Sequence, residues 1–462
     1  MLSLNLSSQS DAVVRSAAAC SIACFAAMSV PFAASAALLA AILWSTRSVE
    51  SALKSLSLAV LVKTINPALV GDQFGPVSLL SWLVLAVAGG RIVLSHFGLR
   101  QPISRLVVRL ALFGLVVATC SLFVSDFIAV SLFKLLSFLF AAVCILGGGK
   151  YLAAKQTSLL PWFVGMWLSV VVLSLATLAT PSVAYFRDGQ GFQGVLNHPQ
   201  ALAVFCAPAV AWTSAAVFMR GLSAGHVAWV TFALACVALL LTRGRTGVAA
   251  MALAGAAVLA IAMLGHNHWR GEIARAALKG RAVFIVFALL TAIAAFPAFF
   301  LGTFQQFVLK GQTEKTIDQA FESSRGFLID ESLRNFAEQP WLGIGFGLSR
   351  SEKFDFVPTI EPISGLPLSA STEKPNLVMA LLEETGLVGL VSFLPFFLAL
   401  IRQILRRADL QLAWMLFTAL AVNVGETVFF SMGGLGLYTL LLVGVGIYES
   451  GESRYVLKAQ PR

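Results

Sequence analysis

Two arginines occupy the turn at residues 242–247, which reads Thr-Arg-Gly-Arg-Thr-Gly and lies between two long apolar segments. A guanidinium group presents paired N–H donors that match phosphate oxygens, and glycine lets the backbone approach a ligand closely. Arg243 and Arg245 are therefore candidates for binding a phosphate group. Two arginines that extend to lipid headgroups would have the same sequence, and that alternative stays open.

Three further basic residues are candidates for contacts with an anionic substrate. Arg325 follows two serines in a long connection and would add a third guanidinium, unless it is a solvated residue at a helix start. Lys63 and Lys134 lie inside apolar segments, where an ionisable group is a functional candidate by default. Both are also near enough to a segment end to reach the membrane surface. We include Lys134 among the candidate substrate-binding residues.

Polar residues precede two of the apolar segments. Asn197 and His198 come directly before one of them and can either cap a helix or contact a ligand there. Lys374, Pro375 and Asn376 open another segment. Proline suits a first helical turn, and the free N–H groups at a helix start favour an anion. We therefore predict substrate contacts from Lys374 and Asn376, and from Asn197 and His198.

Two adjacent carboxylates, Glu383 and Glu384, lie about two helical turns after Asn376 in an apolar segment. Charged groups within a membrane face the protein interior and not the lipid. The pair therefore either forms structural hydrogen bonds inside the protein or, at Glu384, contacts a substrate. Both interpretations stay open.

These residues must be positioned by membrane helices. Of the 462 residues, 58% are hydrophobic and only 12% are charged, whereas a soluble domain carries about 25% charged residues. The apolar runs lack the period-two alternation of a barrel strand, so they are predicted to cross the bilayer as helices. The six cysteines all lie in apolar runs, which indicates neither a disulfide framework nor a zinc site.

Hydropathy predicts 12 to 14 transmembrane helices, the first pair being uncertain because Pro31 could make it a single broken element. The predicted segments are 13–29, 32–44, 55–70, 76–94, 106–124, 127–147, 159–179, 200–219, 225–241, 247–265, 282–301, 376–400, 410–424 and 428–447. Four regions follow: N-terminal transmembrane helices (1–301), a large loop (302–375), C-terminal transmembrane helices (376–447) and a tail (448–462).

Lysines and arginines are concentrated in alternate connections between these segments, including those at 266–281 and 402–409 and the C-terminal tail. The opposite connections near 71–75, 125–126 and 425–427 carry none. The positive-inside bias predicts that both termini are cytoplasmic and that the loop at 302–375 is extracytoplasmic. The net charge of +10 is largely this bias, so we expect no nucleic-acid partner.

The large loop contains a helical pattern followed by a glycine motif. The set Arg325, Leu328, Ile329, Ser332, Leu333 and Phe336 recurs at helical spacing, which predicts an amphipathic helix that ends at Pro340. Residues 341–347 then alternate glycine with large apolar side chains. We reject a dinucleotide-binding fingerprint here, because no strand precedes the glycines and no clear helix follows them.

Four motifs in order resemble the O-antigen ligase and polysaccharide polymerase superfamily of bacterial inner-membrane glycosyltransferases. Residues 194–201 resemble its Gly…Asn-x-Pro-Asn…Ala stretch, and residues 241–247 its Leu-Thr-x-Ser-Arg-Thr-Gly turn, with Gly244 in place of serine. Arg325 and residues 340–347 resemble its Arg…Pro-x-x-Gly-x-Gly loop. Residues 376–389 resemble its Asn-x-x-Leu-x-x-Leu-x-Glu-x-Gly-Leu-x-Gly helix. The resemblance covers roughly residues 160–447.

The resemblance implies a GT-C-like architecture and metal-independent glycosyl transfer at the periplasmic face, with no cofactor. The donor would be a glycan on undecaprenyl pyrophosphate and the acceptor a hydroxyl group on another glycan. Membrane lipid and other polysaccharide-assembly proteins would be its partners. In this scheme Arg245 and Arg325 are catalytic, because they would neutralise the charge that grows on the leaving pyrophosphate, and Arg243 assists.

The chain departs from the ligase pattern at one position. Where the resembling ligases carry a histidine, this chain has Pro375, preceded by Lys374 and Glu373. This favours a polymerase over a ligase, and Glu373 becomes the candidate catalytic base by position alone. A flippase of lipid-linked oligosaccharide is the alternative from another class. Transporters commonly show two related halves, and no internal repeat is visible here.

Overall fold

The computed structural model describes residues 6–29, 32–70, 74–98, 104–186, 191–265, 267–278, 325–350 and 374–449, together with positions 319, 360 and 365. Within these ranges the chain forms helices, turns and two isolated antiparallel bridges, Ile65 with Leu196 and Tyr185 with Phe192. The predicted all-α class is confirmed. The predicted segment at 282–301, Glu373, most of the large loop and the tail from residue 450 lie outside the described residues.

The described helices are α1 (Leu6–Ser29), α2 (Ala33–Ser45), α3 (Val49–Lys63), α4 (Pro67–Val70), α5 (Phe74–Gly98), α6 (Arg105–Val124), α7 (Ile128–Ala154), α8 (Leu160–Ala176), α9 (Pro181–Ala184), α10 (Pro199–Arg220), α11 (His226–Leu241), α12 (Arg245–Met263), α13 (Asn267–Leu278), α14 (Phe327–Glu338), α15 (Leu377–Arg407), α16 (Leu410–Ala421) and α17 (Leu435–Gly446). Eight of them are long and apolar enough to cross a membrane: α1, α5, α6, α7, α8, α10, α12 and α15. Four more, α2, α11, α16 and α17, are shorter apolar helices. The predicted polytopic membrane architecture is confirmed.

Helix α3 begins six residues before the predicted segment 55–70. The Ser48 hydroxyl caps it by accepting the N–H of Ser51 at 3.0 Å, and Glu50 and Lys54 form an ion pair one turn apart. Hydropathy places the start after these charged residues. The cap and the ion pair both stabilise a helix that begins at Val49, before the charged residues.

Helix α17 begins later than the predicted segment 428–447. The residues between α16 and α17 fold into a compact connection, in which the side-chain oxygen of Asn423 accepts the N–H of Phe429 at 2.8 Å. Phe429 and Phe430 are buried among other aromatic rings of the bundle. Hydropathy cannot distinguish apolar residues that face the protein interior from those that face lipid, so it extended the helix through this connection.

Helix α10 lies at the centre of the bundle and contacts α8, α11, α12 and α16. A polar contact ties it to two other helices: the Tyr438 hydroxyl donates to the carbonyl of Phe205 at 3.0 Å and accepts the indole N–H of Trp167 at 2.7 Å. Polar groups within a bilayer need partners inside the protein. This contact therefore satisfies three buried groups and fixes α8 and α17 against α10.

The helix connections gather at two ends of the bundle. At one end, which we call the basic end, the connections near Leu159, Glu272, Leu410 and Glu449 lie together. The carboxylate of Glu272 accepts the N–H of Leu410 at 2.9 Å, and the carboxylate of Glu449 accepts the N–H of Leu159 at 3.0 Å. The second is the site end. There the connections at 125–127, 242–244, 339–350 and 425–434 meet one another, for example through an ion pair of Arg350 with Asp126. The described connections therefore group at two ends, and which of these ends faces the cytoplasm stays a prediction.

We expect a thiol-specific, membrane-impermeant reagent to modify an Ala337→Cys protein in intact cells and to spare Ala274→Cys. Both alanines are exposed, Ala337 on α14 at the site end and Ala274 on α13 at the basic end. The six native cysteines are buried or half-buried, so background labelling should be low. The opposite labelling pattern would place the site end in the cytoplasm.

Candidate functional site

The turn with the two candidate arginines joins α11 to α12 at the site end. Arg243 is exposed and has a left-handed backbone with φ of 51°. Gly244 packs directly on the side chain of Ala203 in α10, and a Cβ atom at this position would overlap the Ala203 methyl group. The glycine in place of the family's serine therefore has a structural cause, because the turn lies closer to α10 than a serine allows.

The structure brings Arg325 to the same place as Arg245. Arg325 lies two residues before α14, and its guanidinium is 2.5 Å from the carboxylate of Glu426. The same carboxylate oxygen accepts the hydroxyl of Thr246 at 3.2 Å. Arg325 is also near enough to Arg245 for the two charges to repel each other. The large loop and the arginine turn thus meet at Glu426.

Glu426 was missed by sequence reasoning, although a signal was present. It is the only Asp, Glu, Lys or Arg residue between positions 410 and 447. It is buried, and its partner Arg325 is half-buried. A single carboxylate in an apolar stretch needs a cationic partner. Nothing in the sequence indicates that this partner lies in the large loop.

Helix α15 is interrupted where the two adjacent glutamates lie. Gly386 has non-helical dihedral angles, with φ of 63° and ψ of −166°. Residues 340–347, which we call the glycine loop, dock across this interruption. The carbonyls of Glu383 and Glu384 accept the N–H groups of Ile344 and Gly345, each at 3.0 Å.

The loop also takes the donors that the interruption leaves free. The N–H of Leu387 donates to the Pro340 carbonyl at 2.9 Å, and that of Val388 to the Trp341 carbonyl at 3.1 Å. In an unbroken helix these two N–H groups would bond to the carbonyls of Glu383 and Glu384. The glycine loop therefore replaces the helix's own hydrogen bonds, which is how a membrane helix tolerates a break.

The side chains of the two glutamates lie in a buried cluster with two lysines. The Glu383 carboxylate accepts the hydroxyl of Ser332 at 2.7 Å and the side-chain amide N–H of Asn335 at 2.8 Å, both from α14. The Lys374 ammonium forms an ion pair with the same carboxylate at 2.5 Å. Glu384 accepts the N–H of Gly347 at 2.7 Å.

The charges of this cluster balance. Glu384 interacts electrostatically with both Lys134 and Lys374, and the Lys134 ammonium lies 3.5 Å from the carbonyl oxygen of Gly347. Two lysines and two carboxylates make the cluster neutral overall, and neutrality lowers the cost of burying charge. The prediction that the carboxylates face the protein interior is confirmed.

We expect Lys374→Ala to lower the free energy of unfolding by about 3–5 kcal/mol, because it leaves Glu383 buried without its cation. The pair is almost fully inaccessible, with 7% of Lys374 and 1% of Glu383 exposed. Purified protein in detergent, unfolded by a denaturing detergent, provides the measurement. The double variant Lys374→Met with Glu383→Gln should recover most of the loss, and the same instability in both proteins would contradict an ion-pair role.

The other predicted residues have defined positions. His198 caps α10, its Nδ1 accepting the N–H of Gln200 at 3.1 Å, while Asn197 beside it is exposed. Asn376 caps α15 by accepting the N–H of Met379 at 2.9 Å. The expectation that Pro375 lies in the first helical turn is wrong, because the asparagine cap starts the helix at Leu377. Lys63 lies over the ring of Trp82, with its ammonium group beside Gly433 of the connection at 425–434.

The predicted amphipathic helix is confirmed as α14, but its buried face is polar. Glu331, Ser332 and Asn335 are buried, whereas Leu333 is exposed. Ser332 and Asn335 donate hydrogen bonds to Glu383 of α15, so hydrogen bonds and not apolar packing hold this face of the helix. Among the described residues, no group of three or more His, Cys, Asp or Glu side chains is placed to hold a metal ion.

The guanidinium groups of Arg245 and Arg325 lie near each other at one end of a membrane bundle, and such a pair can bind the oxygens of a phosphate or pyrophosphate group. Residues 230–394 match the family model described as O-antigen ligase. This match includes the arginine turn, Arg325, the glycine loop and the break in α15. No curated protein matches the chain.

Proposed function

Since residues 230–394 carry an O-antigen ligase-like domain, we propose that this membrane glycosyltransferase polymerises glycan repeats carried on undecaprenyl pyrophosphate. The observation that supports the proposal most directly is the meeting of Arg245 and Arg325 around Glu426 and Thr246 at the site end. A lipid pyrophosphate donor needs cationic groups where its leaving group departs.

The chemistry follows from the charges. An acceptor hydroxyl oxygen attacks the anomeric carbon of the donor glycan, and the bond from that carbon to the pyrophosphate oxygen breaks. The hydroxyl proton passes to a base, for which Glu373 remains our candidate. Negative charge grows on the departing pyrophosphate, and Arg245 and Arg325 would stabilise it. Arg243, exposed on the same turn, is a candidate for contacting the outer phosphate.

We place this reaction at the periplasmic face of the bacterial inner membrane, with both termini in the cytoplasm. The substrate-binding candidates Lys134, Lys374, Asn376, Asn197 and His198 complete the proposed site. A polymerase is favoured over a ligase because Pro375 occupies the position of the ligases' histidine. Transfer of glycan to lipid A-core is the second candidate activity, and lipid-linked oligosaccharide transport is the third.

The test is turnover of a defined undecaprenyl pyrophosphate-linked repeat by the purified protein in liposomes, offered either a second lipid-linked repeat or lipid A-core as the acceptor. Elongated lipid-linked glycan is the expected product. Product on lipid A-core alone would indicate a ligase. Movement of the donor across the bilayer without a new glycosidic bond would reject the enzyme in favour of a transporter.

A further inference from the structure

The glycine loop and the break in α15 form a joint between the extramembrane part of the site and the membrane bundle. From this geometry we infer that Glu384 is a positioning residue, which holds the glycine loop in the break and thereby sets the place of Arg325. The inference rests on the proposed function insofar as Arg325 acts on the substrate.

The joint is specific because its two backbones touch. A Cβ atom at Gly343, which has φ of 70°, would lie 2.5 Å from the carbonyl carbon of Glu384. A Cβ atom at Gly386 would likewise overlap the carbonyl group of Trp341. Glycine at both positions lets the two backbones approach closely enough to form four hydrogen bonds between the glycine loop and α15.

Side chains then fasten the loop on both sides of the backbone contact. The Glu384 carboxylate accepts the N–H of Gly347. Phe346 is fully buried, and its ring lies edge-on to Phe430 with the centroids 5.2 Å apart. Residues 343–349 are all buried, so most of the glycine loop is part of the protein core although it belongs to a segment predicted to be extramembrane.

Arg325 depends on this joint because α14 connects the two. The far end of α14 runs into the glycine loop, and its middle is held to Glu383 through Ser332 and Asn335. Arg325 lies seven residues before Ser332, a distance of about 10 Å along a helix. A loop that leaves the break would move the anchored end of α14 and with it the guanidinium that pairs with Glu426.

The carboxylate of Glu384 is engaged by the loop and by two lysines, which argues for positioning rather than for contact with substrate. Glutamine separates these roles. Its side-chain oxygen can still accept the Gly347 N–H, whereas it cannot bind a proton or carry a negative charge. The cluster also loses one negative charge in this variant, so we expect a moderate loss of stability beside the retained geometry.

The first experiment measures the joint itself, independently of activity. In a Leu348→Cys protein the new thiol should be protected from a thiol-specific reagent, because position 348, directly after the glycine loop, is buried. We expect Gly343→Ala and Glu384→Ala to raise its labelling rate by about 10–100-fold, the equivalent of one lost hydrogen bond to a charged group. Glu384→Gln should stay within about threefold of the parent protein.

Gly90→Ala is the matched control, since a Cβ at Gly90 meets no neighbouring atom and labelling should not change. Equal labelling in all of these proteins would overturn the inference. That outcome leaves the proposed function untouched, because no substrate takes part in the measurement.

The second experiment tests whether the joint acts through Arg325, using a double-mutant cycle on turnover. Gly343→Ala alone should slow turnover. Added to a protein that already carries Arg325→Ala, the same substitution should lower turnover by less than about a further twofold. Independent, multiplying losses would refute positioning. Glu384→Gln should retain most of the turnover, and a loss equal to that of Glu384→Ala with the loop still protected would assign the carboxylate to the substrate instead. Full activity of Arg325→Ala would reject the proposed role of Arg325 while the labelling result stands.

Discussion

Glu373→Gln is expected to lower the turnover of a lipid-linked donor by about 10²–10⁴-fold, the range for loss of a general base. Its chain neighbour Lys374 is buried against Glu383, and the Lys374 carbonyl accepts the hydroxyl of Thr427 at 3.4 Å. Thr427 directly follows Glu426, the partner of Arg325. Lys374, the chain neighbour of the candidate base, therefore lies near Glu426 and the arginines around it.

Donor binding should be nearly unchanged in Glu373→Gln, because the amide keeps the size of the side chain. Turnover and equilibrium binding of the donor should be measured over pH 6 to 9, with Glu384→Gln as the matched carboxylate control. Equal rates for Glu373→Gln and the parent protein across this range would remove Glu373 from the mechanism. Loss of turnover in Glu384→Gln alone would assign the role of base to Glu384, which lies two helical turns into α15.

Arg245→Ala is expected to slow turnover by roughly one to two orders of magnitude, because a charge-assisted hydrogen bond is worth about 1.5–3 kcal/mol. Arg245→Lys should restore little, since a point charge does not replace a planar fork with two parallel donors. Arg245 already lies beside the charge of Arg325. A bound pyrophosphate would relieve that repulsion, and the charge growing in the transition state would relieve it further.

Arg334→Ala is the matched control for Arg245→Ala, because Arg334 is an exposed arginine on α14 at the same end of the bundle. Its turnover should equal that of the parent protein. Parent-level polymer yield from a folded Arg245→Ala protein would exclude the arginine turn from the reaction. Equal losses in both variants would indicate a general effect of surface charge instead.

The balance of charge at the site end explains why these two arginines are suited to an anion. Arg325 pairs with the buried carboxylate of Glu426, and Arg245 lies beside Arg325, so these three described side chains together carry one net positive charge. The neighbouring cluster of Lys134, Lys374, Glu383 and Glu384 is neutral. The first group is therefore the better match for a pyrophosphate.

The sequence by itself determined the class of the protein and most of its helices. Long runs without charge can only be membrane helices, because backbone groups in lipid must bond within the segment. The amphipathic helix at Phe327–Glu338 and the inward orientation of Glu383 and Glu384 followed from spacing and from the cost of charge in lipid. These properties are local, so a single stretch of sequence contains them.

Only the tertiary structure decided which of these residues meet. Arg325 and Glu426 are 101 positions apart in the chain, and Asn335 and Glu383 are 48 apart. No periodicity reports such a contact. The docking of the glycine loop was equally hidden, because its hydrogen-bond partners are backbone groups at the interruption of α15. A buried donor or acceptor must be satisfied, but which distant group satisfies it depends on how the helices pack.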